Sequence, residues 1–403
     1  MKYFLIAGEA SGDLHGSHLI EAVRQRDNDA QFQFLGGDLM QQAAGVAPII
    51  HYRDMAYMGF VEVAKHLPAI LGFMRTARRA IDDWRPHHVV LIDYPSFNLK
   101  IARHAHELGI GVHYFISPKV WVWKEWRVRD IKRYVDHMYC ILPFEPEWYA
   151  QRDYHATYVG NPTVQEIAQA VDAMPDREQF CAHQGLDPSR PIIALVPGSR
   201  VKEIRDNLPS MLQAASRHPH CQLAIAAAPN IDPALYASMA QGVPIVEGAT
   251  WTLVRHARVA IVTSGTATLE TAVLGTPQVA CYRMTGSKWL YKFYRRLLKG
   301  NYVTLPNLIA DQPVIPELLM HLCNADTIDR HLTALLPDTP QRQAQLDGYR
   351  SMLARLGTSH CADTAARLIT ENGPQSAVRS DLQPVRSDLQ PVRSDLQPVR
   401  SDL

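Results

Sequence analysis

The chain has no run of about eighteen consecutive apolar residues, the minimum for a membrane-spanning helix, so none of its 403 residues reads as part of a span, although an amphipathic segment can still lie against a bilayer. No leader is expected either: Met1-Lys2-Tyr3-Phe4-Leu5-Ile6-Ala7 runs into Gly8-Glu9 with no small-residue cleavage site, which reads as a buried strand. Cysteine is sparse and scattered. The six (Cys140, Cys181, Cys221, Cys281, Cys323, Cys361) form no C-x-x-C pair and have no histidine at zinc-finger spacing, which implies a reducing compartment, the cytoplasm. Charge of one sign is missing too, because 41 Lys and Arg balance 40 Asp and Glu for a net charge of +1; this removes any global electrostatic case for nucleic acid. The one literal Asp-x-Asp, Asp27-Asn28-Asp29, falls in a polar connection and is discounted as a metal site.

What is present is an ordinary globular composition, 47% apolar and 20% charged, in a chain long enough for two domains. Short apolar runs alternate with stretches of helical period, the pattern of parallel strands joined by crossover helices. Strands are expected at 3–8, 32–36, 88–93, 111–116, 137–142 and 156–159, with helices at 13–26, 61–83, 98–108 and 144–152. Gly160-Asn161-Pro162 breaks the rhythm. It resumes with strands at 191–196, 221–227, 243–246, 258–262 and 277–281 and helices at 201–216, 232–239 and 265–274. After Pro306 only helices are expected, at 313–321, 325–335, 340–356 and 360–371. The domains are therefore drawn as residues 1–165, 166–345 and closing helices at 346–372, followed by a tail at 373–403. That tail repeats Val-Arg-Ser-Asp-Leu-Gln-Pro, and a proline in every heptad forbids a coiled coil, so it is expected to be disordered. The fold class is α/β, two facing Rossmann-like doubly wound domains whose ligands sit in the cleft beyond the strand ends.

Four strand-end motifs carry chemistry. Gly8-Glu9-Ala10-Ser11-Gly12-Asp13 opens a helix after the first strand and suits an anion, or is simply a tight turn capped by Ser11 or Asp13. It is not G-x-G-x-x-G, which argues against a dinucleotide. In Leu91-Ile92-Asp93-Tyr94-Pro95-Ser96-Phe97-Asn98, Asp93 stands where a carboxylate can accept a proton from a substrate hydroxyl, or caps the next helix. Pro197-Gly198-Ser199-Arg200 places a guanidinium at a helix start, a site for a diphosphate. In Ser264-Gly265-Thr266-Ala267-Thr268-Leu269-Glu270, small hydroxylated residues admit phosphate oxygens, and Glu270 can accept from ribose hydroxyls. Two such loops opposite one nucleotide reinforce each other; as plain capped turns they would leave Glu270 an ordinary first-turn acid. With no metal, the charge of a departing diphosphate falls to Arg200 and the two helix starts. Trp289 and Phe293, flanked by Lys292, Arg295 and Arg296, and a second patch around Met58 and Phe60, read either as lipid-facing helices or as core with snorkelling cations.

These motifs, with Met58-Gly59-Phe60-Val61-Glu62-Val63, Ser117-Pro118-Lys119-Val120-Trp121-Val122-Trp123, Leu142-Pro143-Phe144-Glu145 and Leu305-Pro306-Asn307-Leu308, resemble the lipid-A-disaccharide synthase family in order and spacing over residues 1 to about 370. The resemblance implies a GT-B fold and an inverting transfer from a UDP-linked diacylglucosamine to a diacylglucosamine 1-phosphate. It implies two lipid substrates as partners, peripheral attachment to the inner-membrane face, no cofactor, and room for a homodimer. It assigns nucleotide contacts to Arg200, Glu270 and Asn307, and the flanking Gly198, Ser199, Ser264, Gly265, Thr266, Ala267 and Thr268 go with them. Acceptor- or lipid-facing positions are Met58, Phe60, Ser96, Asn98, Trp289 and Phe293. One position departs: the family's strand-end motif is D-x-P-D-F-N with the second acid favoured as base, whereas this chain carries Ser96 there. The role passes to Asp93, with Glu9 and Asp13 as the other candidates. Rivals to be separated are a UDP-N-acetylglucosamine 2-epimerase or peptidoglycan-type transferase of the same fold, a nucleotide-sugar oxidoreductase, and a non-catalytic nucleotide-binding module.

Overall fold

In the computed structural model the described residues are 1–55, 67–122, 124–283, 302–357 and 360–372. Met58, Phe60, Trp123, Trp289, Phe293 and the repeat tail lie outside them.

Seven parallel strands make the first sheet: β1 Lys2–Ala7, β2 Gln31–Gly36, β3 Ile50–His51, β4 His88–Ile92, β5 Gly111–Phe115, β6 His137–Cys140 and β7 Ala156–Tyr158. Their order is β3-β2-β1-β4-β5-β6-β7, so the order reverses between β1 and β4. Both strands are buried on both faces (Phe4 and Ile6 against one layer, Leu5 and Val90 against the other), which explains why their sequences read as continuous apolar runs. Six more strands make the second sheet: β8 Ile192–Val196, β9 Gln222–Ala226, β10 Ile245–Val246, β11 Val259–Thr263, β12 Gln278–Tyr282 and β13 Glu317–Leu319. The order β10-β9-β8-β11-β12-β13 reverses between β8 and β11. In each sheet a ligand crevice is expected at the carboxyl ends beside that reversal.

The strand β13 corrects the expectation that only helices follow Pro306. A helix over 313–321 would place Pro316 in its interior, without the amide the helix needs. Instead Pro316 presents its carbonyl to the Ala280 amide at 3.0 Å and starts a three-residue edge strand on β12. Strands β3 and β10, of two residues each, are similarly short.

The two closing helices part company. Pro340–Leu356 packs on the second sheet, where Gln345 donates to the Gln278 carbonyl at 3.1 Å and accepts from its amide at 2.6 Å. Cys361–Glu371 returns to the first domain and buries Cys361, Ala365, Ala366 and Ile369 with Leu19, Ile20 and Val23 of the helix Ala10–Arg24. Across the cleft, Leu142 packs with Leu269, Ile309 and Tyr349 of the second domain. No helix among the described residues is long and apolar enough to cross a membrane.

Candidate functional site

The first wall of the cleft is made where β1 and β4 end. Gly8 follows β1, and a Cβ there would meet the Tyr94 ring at 2.4 Å, so only glycine lets the two strand ends approach this closely. Glu9 then caps the helix Ala10–Arg24 in extended conformation, and its carboxylate accepts from the Ser11 hydroxyl at 2.8 Å. At the end of β4 two successive non-glycine residues, Asp93 and Tyr94, take left-handed φ of 42° and 46°. Such strain persists only where neighbours enforce it. Here Asn98 Nδ2 donates to the Ile92 carbonyl at 3.2 Å and the Asp93 carbonyl at 2.8 Å, and the Tyr114 hydroxyl donates to the Asp93 carbonyl as well. Pro95, preset for a first helical turn, starts the helix Pro95–Glu107.

Asp93 faces a pocket of about 180 Å³ between the domains, together with Glu9, Lys119 and Glu145 from the first domain and Thr266 and Leu305 from the second. Burial raises the Asp93 pKa to about 6, the charge of Glu9 adds to that, and Lys119 and His15 oppose it. Glu145 is fully buried and pushed up to about 7 by desolvation, although the Trp121 indole donates to it at 3.1 Å and the Leu142 amide at 3.1 Å. Nothing in the sequence around Glu145, a carboxylate that directly follows Leu142-Pro143-Phe144, signals its burial. A wider groove of about 600 Å³ lies beyond the 142–145 turn, where Phe144, Trp148, Leu308 and Ile309 mix with Glu147 and Arg355.

Two expected site residues are engaged by hydrogen bonds within the fold. Asp13, a candidate base, is buried, and its carboxylate accepts the Gly37, Leu39 and Met40 amides at 2.7, 3.1 and 3.1 Å, which holds the start of the helix Asp38–Ala44. Asn98, expected to face the acceptor, is fully buried, with its amide nitrogen on the strained corner. Ser96 is exposed, and its hydroxyl accepts from Arg127 Nη2 at 2.8 Å.

The second wall carries the two expected phosphate loops, after β8 and β11, the strands flanking the reversal. Gly198 has φ 116° and leads into the helix Val201–Ala215. At that start Glu203 accepts the Ser199 amide at 3.2 Å and Arg200 Nη1 at 3.0 Å, so a carboxylate rests against both groups an incoming phosphate would use. The Arg200 side chain is otherwise 69% exposed. After β11, the Ser264 amide is tied to the Cys281 carbonyl at 2.9 Å, and Gly265, at φ 154°, turns the chain into the helix Thr266–Val273. Thr266 is exposed at this start, Ala267 is half-buried, and the Thr268 hydroxyl is used internally on the Gly265 carbonyl at 2.8 Å. Glu270 is half-buried; burial raises its pKa, while the Trp251 indole, donating at 2.8 Å, favours the charged form and Glu166 opposes it. Asn307 is buried, bonding the Ile315 amide at 2.8 Å and Glu317 at 3.0 Å, which positions the segment around Leu305. Among the described residues no group of three or more His, Cys, Asp or Glu could hold a metal ion. Asp27 of the literal Asp-x-Asp is occupied by the N-terminal amine at 2.6 Å and the Tyr3 hydroxyl at 3.0 Å.

Solved structures of similar fold include a UDP-GlcNAc 2-epimerase from Neisseria meningitidis bound to UDP-GlcNAc (TM-score 0.58, 12% identity, 92% of this chain and 99% of that one). Others are the S. aureus MnaA–UDP co-structure (TM-score 0.63, 10% identity, 92% and 94%) and the glycotransferase of kitacinnamycin (TM-score 0.60, 12% identity, 93% and 99%). At these identities the likeness establishes the fold alone, two facing α/β domains of GT-B type. Sequence relatives are far nearer. The chain is 39% identical over 375 residues to a lipid-A-disaccharide synthase of Acidobacterium capsulatum, covering 88% of this chain and 92% of the relative. It is 37% identical over 386 residues to one of Myxococcus xanthus, covering 94% and 99%. The family model described as lipid-A-disaccharide synthetase matches residues 3–369, from the first strand through the helix that returns to it, and the chain belongs to that family.

Proposed function

We propose that the chain transfers a 2,3-diacylglucosamine unit from UDP to the 6-hydroxyl of a 2,3-diacylglucosamine 1-phosphate, giving the β-1,6-linked disaccharide 1-phosphate and UDP. Family membership supports the substrate pair, a nucleotide-sugar donor and a lipid-linked acceptor. The observation that carries the chemistry is Asp93, a desolvated carboxyl with a pKa of about 6 that faces the start of the second nucleotide loop across one pocket. At neutral pH it is mostly ionised, yet basic enough to take a proton from the acceptor hydroxyl as the new bond forms. Glu9 keeps that pKa high through its charge, and Asn98 and Tyr114 hold the strained corner so that the carboxylate need not reorganise.

On the opposite wall, the departing diphosphate is received by Arg200 and the free amides at the start of the helix Thr266–Val273, while Glu270 takes the ribose hydroxyls. Receiving it requires Glu203 to release Arg200 and the Ser199 amide. A single displacement inverts the anomeric centre. The acyl chains have apolar wall available at Phe144, Trp148, Leu308 and Ile309, and attachment to the inner-membrane face through the Met58 and Trp289 segments, outside the described residues, completes the reading.

Mass spectrometry of the products from UDP-diacylglucosamine and the 1-phosphate acceptor tests this directly. A disaccharide 1-phosphate formed one-to-one with UDP is expected. Consumption of donor without disaccharide, or conversion to its C2 epimer, would return the assignment to the rivals of similar fold.

A further inference from the structure

Arg127 closes the short turn Glu125–Arg127 beyond the carboxyl end of β5, and only 8% of it is exposed. Its Nη2 donates to the Ser96 hydroxyl at 2.8 Å, and its Cζ lies 5.7 Å from the centre of the Trp126 ring. A hydroxyl and an indole face stabilise a cation without neutralising it. Among the described residues no carboxylate pairs with this guanidinium; Asp130, one turn along, and Tyr114 act on it only through space, and Lys124 on the same loop is repelled by it. Burial accordingly pulls the Arg127 pKa down.

Lys119, on the same connection, makes the contrast. It is exposed, and its charge acts through space on Asp93 and on Glu145, with which it lines the pocket. Arg127 is buried, has no hydrogen-bonded carboxylate among the described residues, and is linked to the Asp93 corner through two neighbours: Ser96 lies in the first turn of the helix that Asp93 precedes, and Tyr114, which senses Arg127, donates to the Asp93 carbonyl. A sugar whose 6-hydroxyl rests at Asp93 carries its anomeric substituent within one ring of that point.

We propose that Arg127, with the Ser96 hydroxyl beside it, is the subsite for the anomeric phosphate of the acceptor, a phosphate monoester gripped by the planar guanidinium fork. The inference rests on the transferase reading above.

Steady-state kinetics with two acceptors tests it, the diacylglucosamine 1-phosphate and the same lipid with its phosphate removed. Wild type is expected to prefer the phosphorylated acceptor in kcat/KM. R127Q is expected to lose that preference by about ten- to a hundred-fold, the range for hydrogen bonds to charged groups, through KM for the phosphorylated acceptor and not through kcat. R127K should recover part of it, because it restores the charge but not the fork. S96A, at an exposed position, removes only the hydroxyl, should trim the preference by a smaller factor and covers the case in which R127Q fails to fold. Equal loss on both acceptors, seen as a fall in kcat, would make Arg127 a prop for the Asp93 corner and overturn the subsite. An unchanged preference in R127K and S96A would do the same. A wild-type enzyme that glycosylates neither acceptor would instead remove the transferase reading beneath it.

Discussion

The two walls of the cleft solve opposite electrostatic problems with the same fold. The first gathers acids, Glu9, Asp93 and Glu145, into a desolvated pocket with Lys119 as their counterweight, and burial drives Asp93 and Glu145 toward neutral pH, with the charge of Glu9 adding to it at Asp93. The second has little buried charge at its two loops and exposes donors instead: a helix start at Thr266, and Arg200 held by one carboxylate on its own helix. The difference teaches how a doubly wound sheet is specialised. Both walls sit beside the strand-order reversal, but one spends its glycine (Gly8) on bringing two strand ends together around an acid, and the other spends Gly198 and Gly265 on the positive-φ turns that lead into two helix starts.

Breaking the acidic wall is expected to have the largest effect. Asp93→Asn removes the proton acceptor and should lower kcat by about 100- to 10,000-fold, with KM for the donor little changed, in an assay of UDP release. A normal rate would move the base elsewhere on the wall. The wall proposed to receive the diphosphate should respond in binding: Arg200→Ala and Glu270→Ala are each expected to weaken UDP by about 1–3 kcal/mol in calorimetry, and two unchanged affinities would place the nucleotide outside these loops. Asp13→Ala tests whether that acid is a brace. Three amides lose their acceptor, so thermal or urea unfolding should report a loss of about 1.5–3 kcal/mol, and the protein that remains folded should retain its kcat.

The smallest expected effect sharpens the comparison most. Asp93 works as a base only when ionised, so kcat/KM should fall as pH drops through about 6, where the raised pKa places its protonation. In Glu9→Gln the neighbouring negative charge is gone. Asp93 then ionises more readily, and the acid limb of the profile should move to lower pH; a limb that stays in place would detach it from Asp93.

Much of this was legible in the sequence because parallel strands buried on both faces announce themselves as apolar runs. The strands from β8 to β12, and the loops that follow β8 and β11, lie where hydrophobic period and glycine position put them. The short edge strands β3 and β13 carried no such signal: at two or three residues, pairing on one side only, they owe their conformation to the neighbouring strand. Within the site, residue type located the acids but not their work. Asp13 and Asp93 look alike as carboxylates near strand ends, and what separates them is three amides from the start of the helix Asp38–Ala44, which no local pattern around Asp13 reveals. Arg127 was equally hidden, because its meaning depends on Ser96, thirty-one residues earlier.

The division of labour between the walls is tested most directly by crystals soaked with UDP. The account predicts pyrophosphate density against Arg200 and the Ser199 amide on one side and the Thr266 helix start on the other, with Glu203 turned away and the ribose on Glu270. Pyrophosphate density against Glu9 and Asp93, or Glu203 still holding Arg200 beneath bound nucleotide, would contradict it.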